Sequence, residues 1–312
     1  MAMTSVSAST SDERIDLAVP SKRWHWKKRL GQTTVLQSFA FDDSRQRLYV
    51  LQVMQGGVRL PGESRTYTGT ERRRRGDMCL NRLDLKGARL GHMYLLGHGH
   101  GVGMGVERDA AGATWIWTES DGRAADSGAF GRGITRFRFK DRQVRRVSAE
   151  TTRYPVPGST ANQPSVDMSR KRIAVRHRLD GEVRYRVFPL ARAVAGDFSD
   201  PLHDFAQAPA HPDPDIDFQG FALYGNYLYQ LAGEPYGAGN PRSGHGNTYV
   251  SCIDIRTGEM VQRTRTKAGY SLDYREPEGL AVRRTGKPRL CMGFASGEAG
   301  ARRYSIYYKQ HG

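Results

Sequence analysis

A pattern that returns roughly every 60 residues constrains this chain more than any other feature of it. It opens on a polar residue and continues through small and apolar residues in alternation. A polar turn and a second apolar run complete it. Gln37 begins QSFAFDDSRQRLYVLQ, His100 begins HGVGMGVERDAAGATWIWTE, Gln163 begins QPSVDMSRKRIAVRHR, Gln219 begins QGFALYGNYLYQLAG and Glu278 begins EGLAVRRTGKPRLCMGF. Successive starts are 63, 63, 56 and 59 residues apart. Helical periodicity is almost absent, and short β-rich runs broken by Gly, Asp and Asn indicate a sandwich, barrel or propeller. Self-similarity at a fixed period selects the propeller.

Each unit adds one or two outer strands, some ending in an apolar-Asp-x-x-Gly corner, as in LDLKG (Leu83–Gly87) and IDIRTG (Ile253–Gly258). An inner hairpin followed by an outer hairpin is the content of a four-stranded blade. The expected fold is therefore all-β: a single five-bladed β-propeller over residues 22–312, with blades starting near 37, 100, 163, 219 and 278. A six-bladed layout with one degenerate blade competes with it. The last unit has chain for about three strands, and the stretch KRWHWKKRLGQTTVL (Lys22–Leu36) is expected to supply the fourth, so that the two ends of the chain close the last blade and leave no free edge. Residues 1–21, rich in Ser, Thr and Asp, read as a disordered tail.

In a propeller the innermost strand of each blade runs along the central channel, so a polar residue that opens each inner strand stands at one rim. Gln37, His100, Gln163, Gln219 and Glu278 are thus expected to form a polar ring able to donate and accept hydrogen bonds. Asn162, Arg176 and Trp117 are candidates to join them, Arg176 as a fork for phosphate and Trp117 as a stacking face. The structural alternatives are a water-lined pore, a surface salt bridge for Arg176, and packing between blades for Trp117. If the mouth is catalytic, Glu278, His100 and Glu107 are the acid–base candidates.

The net charge of +16, from 48 basic against 32 acidic residues, favours anionic ligands. An arginine-rich composition is an equally good account of the excess. The run Arg72-Arg73-Arg74-Arg75 reads as a solvated loop able to touch phosphate. No groove-reading helix, RNA-binding signature or zinc module occurs, which argues against sequence-specific nucleic-acid recognition. Cys79, Cys252 and Cys291 are odd in number and far apart, so a disulfide framework is not expected. His98 and His100 could pair on a metal, and HPDPDID (His211–Asp217) could hold a divalent cation, but neither has a full ligand set. No cofactor is evident. No apolar signal region or membrane span is visible, and the expected location is the cytoplasm, with export by a route lacking a visible signal left open.

At the repeat starts, LQSFAFDDSRQRLYVLQ, GHGHGVGMGVE, ANQPSVDMSRKRIAV, FQGFALYGNYLYQLAGE and EPEGLAV resemble the teichoic acid biosynthesis protein C family, which shares its propeller with receptor-binding proteins of phages that attack Gram-positive cells. The resemblance spans Val35 to Tyr308 and implies a propeller and contact with glycosylated or phosphate-containing wall polymer. The functional expectation is binding of an anionic or polyhydroxylated ligand (polyol phosphate, glycan or phosphorylated metabolite) at the channel mouth. The alternative is an enzyme, a cyclase, lyase or hydrolase acting on a phosphate- or diphosphate-bearing substrate at the same place.

Overall fold

The computed structural model describes residues 14–310. The first strand, β1 (Lys22–Lys28), belongs to the last blade. Blade 1 follows with β2 (Leu36–Asp42), β3 (Arg47–Val53), β4 (Met78–Asp84) and β5 (Arg89–Leu96). Blade 2 starts with β6 (Met104–Arg108), β7 (Thr114–Ala125) and β8 (Gly128–Phe137). Next come β9 (Val144–Arg146), which pairs in parallel with β5 of blade 1, and β10 (Thr152–Arg153), which completes blade 2. Blade 3 is β11 (Thr160–Asp167), β12 (Arg172–Leu179), β13 (Glu182–Pro189) and β14 (His203–Ala206). Blade 4 is β15 (Phe218–Tyr224), β16 (Tyr227–Ala232), β17 (Tyr249–Asp254) and β18 (Met260–Arg265). Blade 5 is β19 (Glu276–Arg283), β20 (Arg289–Ser296) and β21 (Arg303–Gln310), with β1 on the outside pairing Lys22 with Tyr308.

Inner strands β2, β6, β11, β15 and β19 each contact the next, and β19 contacts β2, so the ring closes with five blades. Neighbouring blades cover both faces of an inner strand. That is why β2 (LQSFAFD) is buried along its whole length and reads as an almost continuous apolar run rather than a strict alternation. The core is accordingly split into clusters wedged between blades. Tyr49, Leu51, Met78, Leu80, Val106, Ile116 and Phe137, for example, join blades 1 and 2.

The N-terminal boundary shifts from the one read in the sequence. Ile15 and Leu17, assigned to the tail, are fully buried against Tyr229, Leu231, Leu290 and Phe294 of blades 4 and 5. Ile15 N–H donates to Tyr229 Oη at 2.8 Å and Leu17 N–H to Gln262 Oε1 at 3.0 Å. Two apolar residues suffice to dock this short segment on an exposed apolar seam; the remainder of the expected tail, residues 1–13, lies outside the described residues.

The arginine run is also not a solvated loop. It forms helix α1 (Gly69–Arg75), with a capping box between Thr68 and Glu71 and a left-handed Gly76 (φ 71°) at its end. Arg72 is fully buried in an ion-pair cluster with Glu63 and Asp77, while Arg73, Arg74 and Arg75 are exposed. A second short helix, α2 (Leu190–Ala195), follows β13. All three cysteines are buried and outside any disulfide; burial pushes the Cys79 thiol up to about 12, which leaves it unreactive. No helix among the described residues is long and apolar enough to cross a membrane.

Candidate functional site

The five residues that open the repeats meet. Gln37, His100, Gln163, Gln219 and Glu278 all line one cavity of about 1000 Å³ at the end of the channel where the inner strands begin. The local cause is a break in strand register at this position. Pairing slips between Leu36 and Ser38, between Thr160 and Gln163, between Phe218 and Gly220, and between Pro277 and Leu280. Such bulges re-aim a side chain. The glycines after the ring residue permit a close approach as well. Gly220 (φ 141°) and Gly279 (φ 78°) carry backbone conformations that favour glycine. A Cβ on Gly220 would meet Gly279 Cα at 2.9 Å, and one on Gly279 would meet Ser38 Cα at 2.8 Å.

The ring residues are anchored but not saturated. Gln37 Nε2 donates to Glu278 Oε1 at 3.1 Å, and Gln219 Nε2 donates to the Gly233 carbonyl at 2.9 Å. Arg176, directly across from Gln163 in the β11–β12 pair, donates from Nη1 to Gln163 Oε1 at 3.2 Å and from Nε to Gln207 Oε1 at 2.6 Å. Its guanidinium lies 4.0 Å above the Phe218 ring. His100 stacks on Phe130, with centroids 5.5 Å apart, and its Nδ1 is buried without a partner. Burial, helped by the charge of Arg73, lowers its pKa to about 4, so the ring is neutral at physiological pH.

A second tier of the mouth comes from residues two positions before the ring. Val35, Ala161, Asp217 and Glu276 occupy that place in blades 1, 3, 4 and 5 and line the same cavity. Glu276 and Glu278 are thereby close together. Burial raises the Glu278 carboxyl well above the ordinary range, the neighbouring Glu276 adds to this, and Glu276 itself is raised by burial. Burial and the neighbouring carboxyl thus favour the protonated form of Glu278, the form that can donate a hydrogen bond. Arg73, Arg176, Arg178 and Arg302 also line the cavity. The mouth thus carries carboxyl groups from blade 5 and the start of blade 4, and guanidinium groups from α1, blade 3 and the last hairpin.

Behind the rim sits Glu119, fully buried. Its carboxylate accepts N–H bonds from His100, Gly101 and Gly131, which set the backbone of the His100 turn. Burial outweighs these donors and brings its pKa up to about 7.

Three residues read from the sequence as site members lie elsewhere. Glu107 is bound bidentately by Arg136 (2.6 and 2.8 Å) and accepts the Trp117 indole N–H at 2.7 Å. Trp117 is packed between blades 2 and 3 with Ile134, Ile173, Val175 and Phe188. Five residues of extended β6 carry the chain away from the mouth, so a position seven residues past His100 cannot share its rim. Asn162 is buried beside the cavity, where it donates to Ser159 Oγ and the Gly131 carbonyl and ties blade 3 to blade 2. His98 and His100 do not converge either: His98 is fully buried against Phe137 and bonds the Leu96 carbonyl, away from the cavity. In HPDPDID, His211 holds the Asn247 carbonyl and the Asp213 N–H, which makes a structural turn. No group of three His, Cys, Asp or Glu among the described residues is arranged to hold a metal ion.

Fold and site together define a five-bladed β-propeller with a polar, bipolar-charged mouth at one end of its channel. Residues 35–308 match the phage 5-bladed beta propeller receptor binding platform domain, and the chain belongs to that family. It is 26% identical over 297 residues to a Bacillus subtilis (strain 168) protein named as a major teichoic acid biosynthesis protein C, covering 89% of this chain and 60% of that protein. Among solved structures, the tail fiber of Staphylococcus aureus phage P68 superimposes with a TM-score of 0.67 at 16% identity, over 96% of this chain and 54% of the fiber. The chain therefore spans a little over half the length of each of these relatives.

Proposed function

We propose that this protein is a binding module for a cell-surface glycan or polyol-phosphate type ligand, anionic and rich in hydroxyls, held at the channel mouth. The observation that carries this reading is the convergence of all five repeat-start residues on one cavity that also holds four guanidinium groups. Arg176 and Arg178 supply forks for phosphate or carboxylate oxygens. The amides of Gln37, Gln163 and Gln219 can bond hydroxyls as donor or acceptor, and Phe130 and Phe218 give the walls apolar faces. Convergent polar groups in a well-formed pocket are the usual mark of a ligand site. Family membership, through the receptor-binding role in its description, supports the same class of ligand.

A thermal-shift panel of glycerol phosphates, nucleotide sugars, isoprenoid diphosphates and short nucleic acids, at low and moderate salt, tests the reading. A salt-sensitive rise in melting temperature with a polyol phosphate or sugar phosphate, lost in Arg178→Ala, is the expected result. A flat panel in wild type would overturn it.

A second reading, an acid-catalysed lyase, cyclase or hydrolase, draws on one observation: the Glu278 carboxyl, raised well above its ordinary range by burial, stands beside Glu276 at the mouth. It predicts turnover of a hit from the same panel that Glu278→Gln abolishes without loss of binding. Glu107, committed to Arg136 and Trp117, has no part in it.

A further inference from the structure

On blade 1, at the opposite end of the inner strands, Arg45, Arg47 and Arg82 surround a separate pocket of about 490 Å³ with Tyr49 and Leu90. The seven residues of β2 separate it from Gln37 and the mouth, roughly 20 Å along the strand. Arg47 and Tyr49 share a face of β3, and Arg82 of β4 pairs directly with Tyr49. Cross-strand neighbours stand about 5 Å apart, which brings these side chains together.

None of the three guanidinium groups makes an ion pair among the described residues, although Asp42 and Asp84 flank Arg47 in the sheet and Asp141 lies within electrostatic reach of Arg82; the direct contacts of these acids are made with other groups. Asp42 accepts from the Thr114 hydroxyl and the Arg45 backbone N–H and pairs with Arg108 at 3.9 Å, and Asp43 bonds Arg284. Asp84 accepts the N–H groups of Lys86 and Ala88, and Asp141 accepts that of His92. Arg82 is held 4.5 Å over the Phe139 ring, and its Nε is buried with no hydrogen-bond partner. Arg45 is anchored by one bond from Nη2 to the Gly112 carbonyl and Arg47 by one from Nη1 to the Gln46 carbonyl, which leaves their remaining donors free to turn inward. Three guanidinium groups without an ion-pair partner around one concavity repel one another, and an anion between them relieves that repulsion.

We propose that this pocket binds a phosphate group, at a site distinct from the channel mouth. A carboxylate has two oxygens and is satisfied by one or two forks, whereas a phosphate offers three or more to three converging guanidinium groups. Tyr49 and Leu90 give the pocket an apolar side against which the carbon skeleton of a phosphate ester can lie.

The test is isothermal titration of the full chain at low ionic strength, in an Arg178→Ala background that weakens the mouth, with inorganic phosphate, glycerol 3-phosphate and a short poly(glycerol phosphate). The expected result is saturable binding that weakens about tenfold in Arg82→Gln and again in Arg47→Gln, each tenfold being 1.4 kcal/mol. Arg45→Gln, on an exposed turn, reads the same loss should Arg82→Gln unsettle the Phe139 contact. Tighter binding of the polymer assigns the site to a phosphodiester backbone, and tighter binding of glycerol 3-phosphate assigns it to a free monoester. Either supports the site. No phosphate binding in the millimolar range, or equal binding by the folded Arg45→Gln, Arg47→Gln and Arg82→Gln variants, overturns it.

Discussion

Replacing Arg72 by Met removes the charge that organises the long excursion between β3 and β4. Arg72 is fully buried in that excursion. Its Nη1 donates to Glu63 and, at 2.9 Å, to Asp77 Oδ2; its Nη2 donates to Glu63 Oε2 at 2.6 Å and to the Val58 carbonyl at 2.7 Å. The substitution strands the buried Glu63 carboxylate and leaves Asp77 with only the partly exposed Arg75, 3.3 Å away, and the Gly97 N–H. Breaking one side of a buried, hydrogen-bonded pair costs about 3–5 kcal/mol, a large fraction of the 5–15 kcal/mol or so that holds a domain together.

The loss must depend on pH. Beside Arg72 the Glu63 carboxyl is held below its ordinary value. In wild type its contribution is therefore full above about pH 4.5 and is lost as pH falls through the folded value. In Arg72→Met the same carboxyl has no cation and sits in a buried site, so it protonates readily. The gap between the two proteins should be several kcal/mol at pH 7.5 and should narrow towards pH 4.5. Urea unfolding at both pH values measures it. A gap under about 1 kcal/mol at pH 7.5, or one that does not change with pH, would refute the assignment of Arg72 as the excursion's charge anchor. Met54, Gln55, Gly56, Gly69, Thr70 and Arg73 of this excursion line the mouth, so the variant should also weaken ligand binding there.

Further predictions concern the mouth and the N-terminal segment. Glu278→Gln keeps an acceptor for Gln37 and removes a carboxyl whose folded pKa is raised. Wild type loses stability as pH rises above about 4.5 towards that folded value, and the variant does not. Melting curves should show the variant at least as stable as wild type at pH 8 and equal to it near pH 4; a lower melting temperature at pH 8 would contradict this. Gly279→Ala should destabilise by roughly 2 kcal/mol or more, because the new Cβ meets Ser38 Cα at 2.8 Å and φ is 78°. An unchanged urea midpoint would show that the inner strands can part without cost. Deleting residues 1–21 should cost roughly 1.5–3 kcal/mol for each of Ile15 and Leu17. A truncated protein that melts with wild type would show that this docking contributes nothing.

The ring was legible because one cause acts at every blade: a channel-facing strand start must be polar, and repetition makes that visible at Gln37, His100, Gln163, Gln219 and Glu278. The closure of the last blade by β1 was legible from chain length alone. The second tier was legible in principle, since Asp217 and Glu276 precede their ring residues by the same two positions. Arg73 and Arg302 were not, because they reach the mouth from an insertion and from an outer hairpin whose placement only the closed ring determines. Glu107 lies close to His100 in sequence but not at the rim, because an extended strand carries seven residues well over 15 Å; Trp117, paired with Gly105, turns its ring between blades 2 and 3 instead of into the mouth. Arg72 was not legible either: a run of arginines reads as solvated, and nothing local announces that Glu63 and Asp77 will enclose one of them. Ile15 and Leu17 lie in a polar context too short to show a period, so their burial is set by the apolar seam between blades 4 and 5.

The most direct test of the mouth as the binding site is calorimetric titration of the full chain with a short polyol-phosphate oligomer, comparing wild type with Gln219→Ala and repeating both at raised salt. Gln219 lines the cavity and spends a single observed side-chain bond on Gly233. Its loss should spare the fold and weaken binding about tenfold, while salt should weaken binding in both proteins. Binding that is indifferent to Gln219→Ala in a protein with an unchanged melting temperature would contradict the placement of the ligand at the channel mouth.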